Sequence, residues 1–500
     1  MNRSVVYVRR ERKRRPVINL ARVLEVLGLL LLVEAAFMLV PMLLSLSLGE
    51  EDWGTFALAA AATGGVGYVL KRFMRPSEPT MRRRDGCLLT ASVWVVFSFM
   101  GMIPFLLCST PLDVSEAFFE TMSGFTTTGA TVIRDVESCS RGILLWRALI
   151  QWIGGMGIVV FTLAIIPSLN NGGGLSMFNS EVSGITHDKL EARVAATAKY
   201  LWGLYAVITL ALVLLLWAGP MSLFDSVCQA MTTISTGGYS TRNDSIAGFD
   251  STYVKIVLTV FMFIGGTSFS LLLGAVKGGM RRLWRNDVFR MYLALIGVYL
   301  VGMVLLNIRS GHFAPGADGV VDPLFHIVSA MTSTGFGACD FESWGPTVLV
   351  LTIFMMYVGA CAGSTTGGAK LDRLLYLVKN FRLQVSRSVS PRLMRSVRVG
   401  GSCITPEQSD MISAFVLIFT FSIVVGGVCL AVMGFPVVDA FFSSVSCAAN
   451  NGLGAGVTGI SGSYDLLPPS GRWLMSLLML AGRLEVFTVI VLLAPSFWRR

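Results

Sequence analysis

About ten stretches of this chain are each apolar for close to the ~20 residues with which a helix crosses the ~30 Å hydrocarbon core of a bilayer. They lie at 20–48, 56–70, 88–107, 143–166, 200–217, 254–273, 289–306, 347–362, 411–433 and 472–494. With 500 residues, 54% of them hydrophobic and only 14% charged, the chain has too little polar surface to cover soluble domains in water. The fold class these features predict is an all-α polytopic membrane protein.

The charges orient it. A net charge of +10 on a soluble protein would suggest a nucleic-acid partner, but here the basic residues gather in alternate gaps, at 71–84, 277–285 and 370–398. The first gap of the other set reads Glu50-Glu51-Asp52. This positive-inside pattern predicts a cytoplasmic start, an even number of spans and both termini in the cytoplasm, with Trp498, Arg499 and Arg500 as an interfacial anchor and no nucleic acid bound. The basic run 9–15 precedes a long apolar run without a short signal-type core, so the first helix is read as retained.

Enzyme chemistry is not visible. Nine cysteines, at 87, 108, 139, 228, 339, 361, 403, 429 and 447, form no C-x-x-C pair and read as small apolar fillers. Three histidines, His187, His312 and His326, are too scattered for a metal site. His326 is read as packed, and Lys189, Glu191 and Arg193 as a solvated face.

Four gaps on the outer side carry an internal repeat. Segments 116–132, 225–241, 322–338 and 439–455 align without gaps. Each starts with a carboxylate (Glu116, Asp225, Asp322, Asp439), has Ser or Thr seven residues on (Ser123, Thr232, Ser329, Ser446), and has glycine thirteen residues on (Gly129, Gly238, Gly335, Gly452). The carboxylate favours a helix start, about two turns of helix follow, and the glycine lets the chain turn back. Non-helical backbone at membrane depth is tolerated where it is buried in protein or lines a water-filled path. Four such segments about one axis would line that path with carbonyl oxygens suited to a monovalent cation.

On these loops, on Trp146-Arg147 and Gln151-Trp152-Ile153-Gly154-Gly155-Met156-Gly157, on Phe263-Ile264-Gly265-Gly266, on residues 359–370 and on Ala481-Gly482-Arg483-Leu484-Glu485-Val486-Phe487, the chain resembles the Trk/Ktr/HKT superfamily of potassium transport proteins, and most its bacterial TrkH branch. The resemblance implies two amino-terminal helices (1–80) and four membrane-pore-membrane repeats (81–170, 171–280, 281–400, 401–500) around a pseudo-fourfold pore. It implies K+ as the transported ion, and a filter of Thr127, Thr128 and Gly129; Thr236, Gly237 and Gly238; Ser333, Thr334 and Gly335; Asn450, Asn451 and Gly452. It further implies a homodimer in a bacterial cytoplasmic (inner) membrane, lipids around it, and a cytosolic TrkA-type NAD(H)/ATP-binding regulatory ring. This chain itself carries no nucleotide-binding motif. Repeat four departs from the family pattern, with Asn450-Asn451 for Thr-Thr and Gly452-Leu453-Gly454 for Gly-Pro-Gly, which predicts a differently shaped quarter of the ring.

Two features read as gates. Arg483 falls near the middle of the last apolar run, where a charge is costly unless it faces water or a partner. Either it projects into the pore below the filter, or it pairs with a carboxylate on a neighbouring helix. The short eighth run gives way to Gly363, Ser364, Thr365, Thr366, Gly367 and Gly368, either an ordinary capped helix end or, as the resemblance implies, an intramembrane loop that closes the pore. The basic stretch 379–398 is a positive-inside loop or also a contact for the regulatory chain. The rival function, K+ transport coupled to Na+ or H+, asks for a buried carboxylate midway along a span, for which Glu25 and Glu34 are the candidates.

Overall fold

The computed structural model describes residues 18–74, 81, 83–157, 194–312, 316–390, 392, 396–459 and 462–499. Its regular structure is helical apart from one small hairpin, Arg398–Val399 (β1) with Ser402–Cys403 (β2). The chain is an all-α polytopic membrane protein. Among the described residues, helices Leu20–Leu48 (α1), Trp53–Phe73 (α2), Arg83–Gly101 with its continuation Ile103–Leu107 (α3, α4), Val194–Trp217 (α7), Asp287–Ser310 (α12) and Pro406–Val432 (α16) supply six spans long and apolar enough to cross a bilayer. α1 is capped at its start by the Asn19 side chain and stopped by left-handed Gly49.

Two apolar runs read as continuous spans are broken. Run 254–273 is Thr252–Gly265 (α9) followed by Phe269–Gly278 (α10), bent by 95°. Run 472–494 is Pro469–Arg483 (α18) followed by Phe487–Leu493 (α19), bent by 111°. Hydropathy counts side chains, whereas these breaks are set by the backbone. Phe269 opens α10, where its amide has no partner inside the helix, and it bonds the Gly363 carbonyl instead, 2.9 Å away. At the second break Glu485 and Val486 both take positive φ, 57° and 54°, while the Glu485 carboxylate is held by Arg373. Arg483 is therefore the last residue of α18, at the break, and not mid-span. Run 143–166 begins in Arg141–Gly155 (α6) and passes, with Lys189, Glu191, Arg193 and the basic run 9–15, outside the described residues.

Between the spans sit four shorter helices: Val114–Phe125 (α5), Leu223–Ile234 (α8), Asp318–Met331 (α13) and Val437–Ala448 (α17). At 12 to 14 residues they make more than three turns, longer than the two turns expected, yet at 1.5 Å per residue they fall short of a full crossing. The aligned carboxylate stands third in three of them. In α13 it stands fifth, because that helix starts earlier, at Asp318. Glu116 completes a capping box with Asp113, and Asp225 is capped by Ser222, so the acidic start satisfies amides that the helix cannot. Among the cysteines, Cys403 departs from the filler reading: it is exposed, on the β1–β2 hairpin.

Candidate functional site

All four short helices end in the same way. The last-turn amides of Thr126, Ser235, Thr332 and Ala449 still bond the carbonyls four residues back. The next residue, Thr127, Thr236, Ser333 or Asn450, turns left-handed at φ 54°, 54°, 51° and 50°. The residue after it donates its amide to the carbonyl of Ser123, Thr232, Ser329 or Ser446 at 2.8, 2.8, 3.0 and 2.9 Å. These carbonyls belong to the aligned hydroxyl residues. The aligned glycine follows, left-handed in every copy at φ 84°, 80°, 82° and 77°. Left-handed backbone costs an L-residue roughly 1–2 kcal/mol and is rare for a β-branched one, so two threonines in that conformation mark a segment whose shape is dictated by its surroundings.

The four segments close on one another. A Cβ added to Gly129 would strike the carbonyl oxygen of Gly237; on Gly238, that of Thr334; on Gly335, that of Asn451; and on Gly452, that of Thr128. Every one of these approaches is under 3.0 Å, nearer than real Cβ atoms come. Each glycine thus abuts the residue before the next glycine, in the order one, two, three, four and back to one. All twelve residues predicted for the filter are gathered at this ring. The fourth copy, expected to differ, repeats the backbone of the others. Its asparagines use their amides outward, Asn450 Nδ2 to Thr128 Oγ1 (3.0 Å) and Asn451 Nδ2 to the Ala330 carbonyl (2.7 Å), which ties segment four to both neighbours.

On one side of the ring lies a cavity of ≈ 120 Å³ whose lining includes all four glycines and Arg134, Arg147, Tyr239 and Arg242. The loops around it are laced pairwise. The amide of Val136 reaches Asn243 Oδ1 (2.7 Å), that of Ile246 the Gly337 carbonyl (2.9 Å), that of Gly456 the Glu342 carboxylate (3.0 Å), and that of Tyr464 the Thr131 carbonyl (2.9 Å). In the same lacing the Asn243 side-chain amide holds the exposed Asp135 carboxyl below the usual carboxylate range.

On the opposite side stands the segment between Pro346–Val358 (α14) and Leu371–Val389 (α15), which is more than a helix end capped by Gly359. The chain runs irregularly through left-handed Gly359, Gly363, Gly368 and Lys370 before helix resumes. Thr365 Oγ1 bonds the Ile234 carbonyl (3.2 Å) and accepts from Thr236 Oγ1 (3.1 Å), and the Gly367 amide bonds Ser333 Oγ (2.7 Å). Ser364 and Thr366 pair through their hydroxyls at 2.7 Å. Residues 363–368 therefore lie directly against segments two and three of the ring. Arg483 donates to the carbonyls of Thr365 (2.9 Å) and Gly155 (3.1 Å) and to that of Gly154, joining the loop to the end of α6. Its neighbour Glu485 takes Arg373, with Lys370 3.6 Å away, so the two charges beside the break are held apart.

Sequence reasoning missed a buried polar group behind the ring. Arg147, 2% exposed, bonds Glu120 (2.9 Å), Thr131 (3.1 Å) and the Ser240 carbonyl (3.1 Å), and lies 4.1 Å from the Tyr239 ring centroid. The signal was available as Arg147 and Gln151, two polar residues four apart on one face of an apolar helix. Breaking a buried pair strands a charge, so Arg147→Leu is expected to destabilise the protein by about 3–5 kcal/mol. Thermal unfolding in detergent reads this as a clearly lowered midpoint; an unchanged midpoint would contradict the network's role. Of the two carboxylates considered for coupling, Glu25 pairs with Arg22 at 2.6 Å, and Glu34 is buried against Gly101. His326 is packed as expected, on Phe341 and bonded to Thr352 Oγ1 at 2.8 Å.

Comparison with known proteins agrees with this architecture. A family model described as TrkH, cation transport protein, matches residues 56–500. The Trk system potassium uptake protein TrkH of Halomonas elongata is 34% identical over 490 residues, covering 96% of this chain and all of that protein. The protein of the same name from Escherichia coli K12 is 31% identical over 478 residues, covering 95% and 98%. The crystal structure of the potassium transporter TrkH from Vibrio parahaemolyticus superposes with a TM-score of 0.86 at 31% identity, covering 96% of this chain and all of that one.

Proposed function

The chain belongs to the TrkH family of cation transport proteins, and from that premise we propose that it takes up potassium across a bacterial inner membrane through a gated, channel-like pore. The observation that carries this reading is the cyclic closure of the four glycine segments, each glycine against the carbonyl before the next. A ring of backbone segments brings carbonyl oxygens together, and such oxygens replace the water shell of a monovalent cation without covalent chemistry. In this reading the twelve ring residues form the selectivity filter, each of four membrane-pore-membrane repeats (81–170, 171–280, 281–400, 401–500) contributing one quarter. The cation then meets Arg483, whose charge opposes it, and the 363–368 loop, which occludes its way on.

The positive-inside charges support a reading with both termini in the cytoplasm. There, a TrkA-type NAD(H)/ATP-binding ring regulates the gate of a homodimer, a reading supported by the family resemblance and by the basic helix α15 that continues from the loop. Coupling to Na+ or H+ is the weaker reading, because Glu25 is already paired and Glu34, although buried midway along α1 as that reading asks, does not line the cavity at the ring. Purified protein in liposomes tests the proposal: potassium tracer enters down its gradient several-fold faster than sodium tracer. Equal rates, or none above empty vesicles, would overturn it.

A further inference from the structure

The ring is fourfold in backbone but not in what supports it. Gly154, Gly265 and Gly482, near the ends of α6, α9 and α18, each face the carbonyl four residues before a ring glycine, those of Phe125, Ile234 and Ala448. They are equivalent positions; Gly359, which closes α14, instead faces the Gly367 carbonyl. Three residues before these glycines stand Gln151, Met262, Met479 and Met356, all fully buried. At this position three helices carry methionine and one carries glutamine, with its side-chain amide.

That amide is spent on segment two. Gln151 Nε2 donates to the Gly237 carbonyl at 2.7 Å, and Gln151 Oε1 accepts from the Tyr239 amide at 3.1 Å. A backbone carbonyl can only accept and a backbone N–H can only donate, so the amide orientation is fixed by its partners. The two bonds straddle Gly238, and the Gly237 oxygen is the one against which Gly129 abuts. One turn earlier on the same helix, Arg147 holds the Ser240 carbonyl. Segment two is therefore braced from outside at 237, 239 and 240 by a single helix.

We propose that Gln151 is a positioning residue for ion selectivity: by clamping Gly237 and Tyr239 it keeps one quarter of the ring from closing on a cation smaller than potassium. This rests on the pore reading above. A methionine in its place fills similar volume but bonds neither group, and segment two is then free to relax inward.

The test is the ratio of potassium to sodium tracer uptake by the full chain in liposomes. Gln151→Met removes both bonds; Gln151→Glu keeps the acceptor for Tyr239 and removes the donor to Gly237, and serves alone if the methionine variant fails to elute as folded protein. Each is expected to lower the ratio about threefold to tenfold, mainly by raising sodium uptake. Met262→Leu, at the equivalent place in α9, is expected to leave it unchanged. An unaltered ratio in the Gln151 variants, or an equal fall with Met262→Leu, overturns the proposal. Absence of potassium uptake by the unaltered chain would instead overturn the pore reading itself.

Discussion

Gly335→Ala is expected to reduce potassium uptake to the level of empty liposomes. The backbone there is at φ 82°, and the new methyl group would be driven onto the Asn451 carbonyl oxygen. Strain alone, on the order of 1–2 kcal/mol, would leave a damaged but working ring. The collision adds to it, because the struck atom is itself part of the ring and cannot move without displacing segment four. A control separates the two effects. Gly279 has φ 89° but nothing within 4 Å of an added Cβ, so Gly279→Ala carries the strain without the collision and should keep near-normal uptake. Full uptake by Gly335→Ala would show that the glycine ring is not the cation's path.

Arg483→Ala is expected to act in the opposite direction, raising uptake about threefold or more. Two effects add. On the pore reading a guanidinium charge leaves the cation's path, and the bond to the Thr365 carbonyl that joins the loop to the end of α6 disappears. Arg483→Lys retains the charge but not the planar fork that spans Thr365, Gly154 and Gly155, so it should fall between the two. Uptake that is unchanged or lower in the alanine variant would count against Arg483 as a barrier.

Both predictions draw on features that differ in how far they could be read from residues alone. The ring glycines were legible because their signal is local and repeated: a carboxylate, a hydroxyl residue and a glycine at fixed offsets, four times over. The hydroxyl residue proved to be the one whose carbonyl receives the returning amide, which explains why the offset is constant. The departure in segment four misled, since Asn450 tolerates the left-handed turn as the threonines do and its side chain supplies a bond that theirs do not. Bonds between distant parts of the chain were not legible. Gln151 meets Gly237 across 86 positions, and Glu485 meets Arg373 across 112, so neither the clamp nor the break in the last span leaves a local pattern. Hydropathy found the apolar runs, but it cannot distinguish a straight span from one bent by 95°.

The central claim is that potassium passes through the ring down its own gradient. The most direct measurement loads liposomes containing the purified chain with equal potassium inside and out, and then imposes a sodium gradient or a pH gradient with the membrane voltage clamped to zero by a potassium-independent ionophore couple. The account predicts no net accumulation of potassium under either gradient, alongside rapid exchange of potassium tracer. Accumulation against the potassium gradient, driven by sodium or protons, would contradict it.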